Sequence, residues 1–299
     1  MLPPSPLQQI KHPDAVRAGI NLWCKRDDLY AWYPGSPLQG NKVRKLWPLL
    51  LRSDLPGRTV VSFGGAYSNH VAALAAAGHQ FGFATRFYLR GEAVRNPTLD
   101  AVLRNGGNLH FISRTDYRLK HDHQFQRELG IVEEEFVIPE GGTSPESLPY
   151  TGEVFRETVN QFGAVPPDFF CLSAGTGGTA AGIIGAAADT PCTVEVFPAL
   201  RGSWMRDEIL RHLEGFSGTP AFTVIDGYHF GGYGRFSPHW KIRTPIGATA
   251  KRADIGEPGL PELEPVYTAK LFSGVLDRIR TGAYPRGSTV VVLHTGGIY

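Results

Sequence analysis

The chain has 299 residues, of which 42% are hydrophobic and 19% charged, with a net charge of +2. That balance describes a globular protein of one large domain, or of two smaller ones sharing an interface. So small a charge argues against nucleic acid or an anionic membrane as partner, and no run approaches the length of a membrane span. Cys24, Cys171 and Cys192 show neither metal spacing nor a disulfide framework, which fits a reducing compartment. The stretch Met1-Leu2-Pro3-Pro4-Ser5-Pro6 lacks the basic start and apolar core of a secretory signal, so a cytoplasmic protein is expected.

A turn rich in glycine and proline, Tyr33 to Gly40, opens the first clear element. Behind it Val43, Leu46, Leu49 and Leu50 recur at helical spacing. Lys42 and Lys45 therefore fall on the first turn of a helix, on the same side. Lysines avoid helix starts, where the dipole is positive. Either an anion such as phosphate binds there, or Lys42 is tied up as a Schiff base. A solvated basic helix is the competing explanation.

Val60 to Phe63 reads as a buried strand ended by Gly64-Gly65, and Val71 to Ala77 as an alanine-rich helix closed by Gly78. Strand and helix then alternate. Strands are expected at Thr85 to Leu89, Leu109 to Ile112 and Phe136 to Ile138, with helices at Pro97 to Arg104 and Gln124 to Leu129. Past residue 150 the rhythm restarts, with helices at Gly152 to Phe162, Ala180 to Ala188, Trp204 to Leu213 and Tyr267 to Thr281. Strands are expected at Phe169 to Leu172, Thr193 to Phe197, Phe222 to Ile225 and Thr289 to Leu293. Such alternation marks parallel sheets wound with helices, here two α/β units with a seam near residue 150. Ser237 to Glu262 has no clear period and reads as a loop or insertion.

Three glycine loops follow strands. Ser173-Ala174-Gly175-Thr176-Gly177-Gly178-Thr179 aims backbone N–H groups and a helix start at one point, which is a phosphate site. Gly175 to Ala180 also matches the dinucleotide fingerprint, with Glu195 about where a ribose-binding acid would lie, although inside its strand. Gly64 to His70 carries three polar side chains, of which Ser68 or Asn69 could be a plain helix cap. His294-Thr295-Gly296-Gly297 ends the last strand. Ligands of open α/β sheets bind beyond the carboxyl ends of strands, so the loops and the helix-start lysines point to one crevice.

The motifs Gly-Asn-Lys-Val-Arg-Lys-Leu at 40–46, Gly-Gly-Ala-Tyr-Ser-Asn-His at 64–70, Ser-Ala-Gly-Thr-Gly-Gly-Thr at 173–179, Glu-Pro-Val-Tyr-Thr-Ala-Lys at 264–270 and His-Thr-Gly-Gly at 294–297 occur in that order. Together they resemble the 1-aminocyclopropane-1-carboxylate deaminase and D-cysteine desulfhydrase family, pyridoxal-phosphate enzymes of the tryptophan-synthase-β-like fold. The resemblance implies two doubly wound open-sheet domains (fold type II), with pyridoxal 5'-phosphate in the cleft between them. Residues 1–50 and 151–299 would form the larger, cofactor-binding domain, and 51–150 a smaller one closing over the substrate. Lys42 would carry the cofactor as a Schiff base, with Lys45 near its phosphate. Gly175, Thr176, Gly177, Gly178 and Thr179 would hold that phosphate, and Asn69 the ring hydroxyl. Ser68, Asn69 and His70 would hold the substrate carboxylate. Tyr267 would face the substrate as an acid–base group, with Tyr233 as a second substrate-facing tyrosine. Thr268 and Thr295 would lie near the pyridine nitrogen.

The deaminases of the family are expected to carry an acidic residue after the tyrosine and an apolar one before the last Gly-Gly. This chain has Thr268 and Thr295 there, and so resembles the desulfhydrase branch. A hydroxyl at the ring nitrogen makes a weaker electron sink than a carboxylate. That suffices for losing a thiolate, less clearly for opening an unactivated ring. The implied reaction is β-elimination from a small amino acid, giving pyruvate, ammonia and sulfide, with Lys42, Ser68 or Tyr267 removing the α-proton. A deaminase or dehydratase on the same fold, a dinucleotide-dependent oxidoreductase and a non-catalytic ligand-binding relative are the alternatives. The family implies a homodimer. No metal site is expected, since His121 and His123 read as a surface pair.

Overall fold

The computed structural model describes residues 2–216, 218, 221–232, 235 and 259–298. Tyr233 and residues 237–258 of the expected insertion lie outside the described residues. In chain order the elements are β1 (Leu7–Gln9), α1 (Pro13–Ala18), β2 (Asn21–Lys25), α2 (Asn41–Leu50), β3 (Thr59–Gly64), α3 (Asn69–Phe81), β4 (Ala84–Arg90), α4 (Pro97–Arg104) and β5 (Asn108–Ile112). They continue with α5 (His123–Glu128), β6 (Phe136–Ile138), α6 (Leu148–Gln161), β7 (Phe169–Ala174), α7 (Gly178–Ala187), β8 (Thr193–Pro198), α8 (Met205–His212), β9 (Phe222–Val224), α9 (Thr268–Arg280) and β10 (Thr289–Leu293).

The strands form two sheets, one of four strands in the order β5-β4-β3-β6 and one of six in the order β1-β2-β10-β7-β8-β9. Every pairing is parallel except β1 with β2, which caps an edge. Parallel strands need helical crossovers, and these cover both faces of each sheet. On the six-stranded sheet, Phe155, Ile183, Ile184 and Ile209 pack on one side, and Leu271, Phe272, Val275 and Leu276 on the other. With both faces covered, β10 is apolar along its length rather than alternating, with Val290 to Leu293 all fully buried. On the four-stranded sheet, α3 packs on β3 and β4, with its buried alanines in the same apolar core.

Two differences from the sequence reading concern local structure. The N-terminal segment contributes β1, α1 and β2, which periodicity does not reveal. β2 has one short apolar core, Leu22 to Cys24, and ends in Lys25, a lysine with no exposed surface because it is paired with Glu157 at 2.9 Å. Gly78 does not close α3. The helix runs on to Phe81 and Gly82 caps it in the left-handed conformation. Gly78 is instead a point of close approach, since a Cβ there would stand 2.7 Å from the Phe83 carbonyl oxygen.

Candidate active site

The carboxyl ends of β3, β7 and β10 lead into the three glycine loops, and one cavity of about 630 Å³ collects them. That volume is ordinary for a small-molecule site. Helices α2, α3 and α7 all begin on its wall, with Lys42 and Lys45, Asn69 and His70, and Thr179 and Ala180 respectively among the lining residues. Three helix starts make the cavity electropositive before any side chain is considered.

Gly40 sets the entry of α2. It has φ +62°, and a Cβ there would lie 2.1 Å from the Thr295 carbonyl oxygen, so the turn before Lys42 presses directly on the loop after β10. Asn41 N–H donates to that same oxygen at 3.2 Å, and the Asn41 side chain donates to Thr179 Oγ1 at 3.0 Å. The starts of α2 and α7 are thus tied together.

Lys42 Nζ stands 3.5 Å from the Gly141 carbonyl, too far for a strong hydrogen bond. Lys45 Nζ donates to Thr143 Oγ1 at 2.8 Å and to Thr176 Oγ1 at 3.3 Å. Among the described residues neither ammonium has a carboxylate within ion-pair distance. Burial draws Lys42 down to about 8, partly opposed by the Glu264 carboxylate. Burial, then the charge of Lys42, draws Lys45 well below its ordinary value. Two lysines of this kind are short of an anion.

Two further polar atoms lack partners. Ser173 Oγ and His70 Nδ1 are buried on residues lining the cavity, and neither has a hydrogen bond. The state of His70 follows from its neighbour. Ser62 Oγ spends its single proton on the Ile138 carbonyl at 2.8 Å, so at 2.9 Å it must accept from His70 Nε2–H. Nδ1 therefore keeps its lone pair. Burial and the two lysines push the ring well below its ordinary pKa, so it is neutral.

Ser68 caps α3, accepting from the Val71 N–H at 3.3 Å, which leaves its own proton to donate. Tyr267 lies against the phosphate-type loop, since a Cβ on Gly175 would be 3.1 Å from its hydroxyl. Of the residues expected from sequence, Lys42, Lys45, Ser68, Asn69, His70, Gly175, Thr176, Gly177, Thr179, Tyr267 and Thr295 line one cavity. Gly178 begins α7 packed on Thr143 and does not line it. Thr268 is not among the lining residues. It is fully buried, and its hydroxyl accepts from the Glu264 N–H at 2.7 Å and donates to the Glu264 carbonyl at 3.0 Å, so it closes a turn and is not part of the wall.

Other residues of the site were given no role by the sequence, although Glu264 opens the motif at 264–270. Glu264 is 2% exposed, and its carboxylate accepts the N–H groups of Val266 and Tyr267 at 3.0 and 2.7 Å, which sets the Tyr267 backbone. Its Cγ and the Asn69 amide both crowd Gly297, where a Cβ would come within 2.8 and 2.6 Å of them. On α8, His212 Nε2 meets the Thr176 carbonyl at 3.0 Å and Glu208 at 3.3 Å. The only hint was the four-residue spacing of Glu208 and His212.

Residues 3–199 match the family model described as pyridoxal-phosphate dependent enzyme. The chain belongs to this family. A Thermotoga maritima protein, provisionally named 1-aminocyclopropane-1-carboxylate deaminase, is 30% identical over all of this chain and 95% of its own length. The bifunctional D-cysteine desulfhydrase/1-aminocyclopropane-1-carboxylate deaminase of Arabidopsis thaliana is 27% identical, over 99% of this chain and 76% of that protein. The crystal structure of an ACC deaminase homologue superposes with a TM-score of 0.75 at 25% identity, covering 99% of this chain and 90% of the other.

The α/β architecture is that of the fold type II pyridoxal-phosphate enzymes, and the cofactor is pyridoxal 5'-phosphate. The cavity suits it, with a lysine amine, a glycine loop at a helix start, a second lysine and the unpartnered atoms Ser173 Oγ and His70 Nδ1. The dinucleotide alternative falls with the family and with Glu195. That carboxylate is buried in β8 and takes hydrogen bonds from Tyr284 and Arg278, both at 2.7 Å. No helix among the described residues is long and apolar enough to cross a membrane.

Proposed function

We propose that this enzyme is a lyase that eliminates sulfide from a small amino acid, with D-cysteine as the first candidate substrate and pyruvate and ammonia as the other products. Bound pyridoxal phosphate would supply the electron sink that lets an α-proton leave and a β-substituent depart with its bonding pair. Lys42 would attach the cofactor. The Gly175 to Thr179 loop, the start of α7 and Lys45 would hold its phosphate, and Asn69 its ring hydroxyl. The start of α3, with the Ser68 hydroxyl, would take the substrate carboxylate.

Lys42, Ser68 or Tyr267 would remove the α-proton, since all three line the same cavity. Tyr267, beside the loop at Gly175, would return a proton if Lys42 takes one. The segment 51–150 would close over the substrate, since Arg90, Lys120 and His121 from it line the same cavity as Trp204 and Glu208.

The observation that carries the choice of substrate is Thr295, the residue lining the cavity at the end of β10. A hydroxyl beside the ring nitrogen favours loss of a good leaving group over ring opening. The second reading, a 1-aminocyclopropane-1-carboxylate deaminase, rests on the names of the relatives. The test is to incubate the cofactor-loaded protein with D-cysteine, L-cysteine and 1-aminocyclopropane-1-carboxylate and to measure sulfide, pyruvate and 2-oxobutyrate. Sulfide and pyruvate in equal amounts from D-cysteine are expected. 2-Oxobutyrate from the cyclopropane, with no sulfide from either cysteine, would overturn the substrate assignment.

A further inference from the structure

Lys270 is 2% exposed and lies in the first turn of α9, three residues past Tyr267. Among its partners are the backbone carbonyls of Ala199 at 3.0 Å, His229 at 3.1 Å and Gly232 at 2.8 Å, to which its Nζ donates. The three oxygens come from two separate segments. Ala199 directly follows β8 and precedes Leu200 and Trp204, which line the cavity. His229 and Gly232 belong to the turn beyond β9. One ammonium thus draws two loops onto the helix that carries Tyr267.

A charged centre held by converging carbonyls is the arrangement that binds a large, weakly hydrated monovalent cation. A divalent ion would demand carboxylates and contacts of about 2.0 to 2.6 Å. The lengths here are those of N–H···O bonds. The charge is balanced at longer range by Glu264, which opposes the effect of burial on Lys270.

We propose that Lys270 is a tethered cation: its ammonium occupies a latent monovalent-cation site to which the carbonyls of Ala199, His229 and Gly232 contribute, and K⁺ or NH₄⁺ can replace it when the side chain is shortened. It is a positioning residue, acting on the cavity wall through Ala199 and on Tyr267 through α9. The wild-type enzyme should accordingly need no added monovalent cation. This inference does not depend on which amino acid is the substrate.

The experiment is thermal melting of wild type, Lys270→Ala and Lys270→Met in LiCl, KCl and NH₄Cl at equal ionic strength, with uptake of pyridoxal phosphate read by visible absorbance in the same buffers. The wild type should melt within about 1 °C of itself in all three salts. Lys270→Ala should melt several degrees lower in LiCl, on the order of 5 °C for the loss of charged hydrogen bonds. It should regain at least half of that in KCl or NH₄Cl, and recover cofactor uptake in parallel. Lys270→Met fills the space without a charge and should show the loss with no rescue. A Lys270→Ala protein that melts like wild type in LiCl would overturn the proposal, as would a loss that neither K⁺ nor NH₄⁺ reverses. If Lys270→Ala yields no folded protein in any of the salts, Lys270→Gln is read in its place. Failure of both to fold in KCl and NH₄Cl equally overturns the idea that a free cation can stand there.

Discussion

Helix α2 has two charged faces that differ in how their charge is answered. On one, Arg44 is 2% exposed and closes a network with Asp27 at 2.7 Å and Glu157 at 2.8 Å, its guanidinium 4.0 Å from the centre of the Tyr30 ring. Lys25 meets the same Glu157 at 2.9 Å. Two cations face two anions, and every group has partners. On the other face, Lys45 is buried and Lys42 half-buried, and both meet only neutral oxygens. A closed network fixes where α2 lies. An open one is a demand for a ligand, and the proposed function fills it with the cofactor's phosphate and carbonyl carbon.

The comparison is broken most severely at Lys42. Lys42→Ala should lower turnover by at least about three orders of magnitude, while melting close to wild type. Retained activity in a steady-state assay would remove Lys42 from the centre of the account. On the other face, Arg44→Met leaves two buried carboxylates without their main partner. A loss of about 3–5 kcal/mol in urea unfolding is expected, since a broken buried ion pair leaves uncompensated charge. An effect below about 1 kcal/mol would show that the network does not hold α2.

Lys45→Met sharpens the contrast. It removes a buried charge that no anion answers, so the cofactor-free protein should melt no lower than wild type. Affinity for pyridoxal phosphate should fall about 10- to 100-fold, the size of a lost charge-assisted contact. Opposite signs for stability at Arg44 and Lys45 are the signature to look for in paired melting and cofactor titrations.

The same logic sets a pH dependence. The folded chain holds Lys42 at about 8, below the value near 10.4 of an unfolded lysine. Between those values the unfolded state binds more protons, so stability of the cofactor-free protein rises with pH from about 8 upward and is flat below it, as far as Lys42 is concerned. Lys270, also drawn to about 8 by burial, adds to the slope. The difference between wild type and Lys42→Met in denaturant unfolding isolates the Lys42 part, and identical slopes would contradict the depressed value.

The smallest effects separate two threonines that look alike in sequence. Thr268→Val should cost about 1 kcal/mol of stability by opening the turn at Glu264, with kcat little changed. Thr295→Val should leave stability nearly unaltered and change kcat about tenfold. Exchanged behaviour in assays of both variants would return Thr268 to the site.

These threonines also show where the sequence stops being informative. Lys42, the glycine loops at 64–70 and 173–179 and Tyr267 were legible because each sits where a strand or turn becomes a helix, and such junctions leave marks in residue type and spacing. The parallel sheets were legible because strands buried on both faces read as apolar runs. What Thr268 bonds was not legible, because its hydroxyl meets the Glu264 backbone across a turn that only folding closes. Glu264 and His212 were missed because their roles depend on pairs brought together by folding, Asn69 with Gly297 for one and the Thr176 carbonyl for the other. β2 was hidden because a buried lysine, answered by a glutamate more than a hundred residues away, looks like a surface residue in a one-dimensional reading.

The most direct measurement is visible absorption of the purified protein supplied with pyridoxal phosphate, before and after borohydride, followed by peptide mass mapping. The account predicts a yellow band that borohydride abolishes and a pyridoxyl group on the peptide carrying Lys42. A protein that stays colourless, or a pyridoxyl group fixed on Lys45 or elsewhere with Lys42 unmodified, would contradict it.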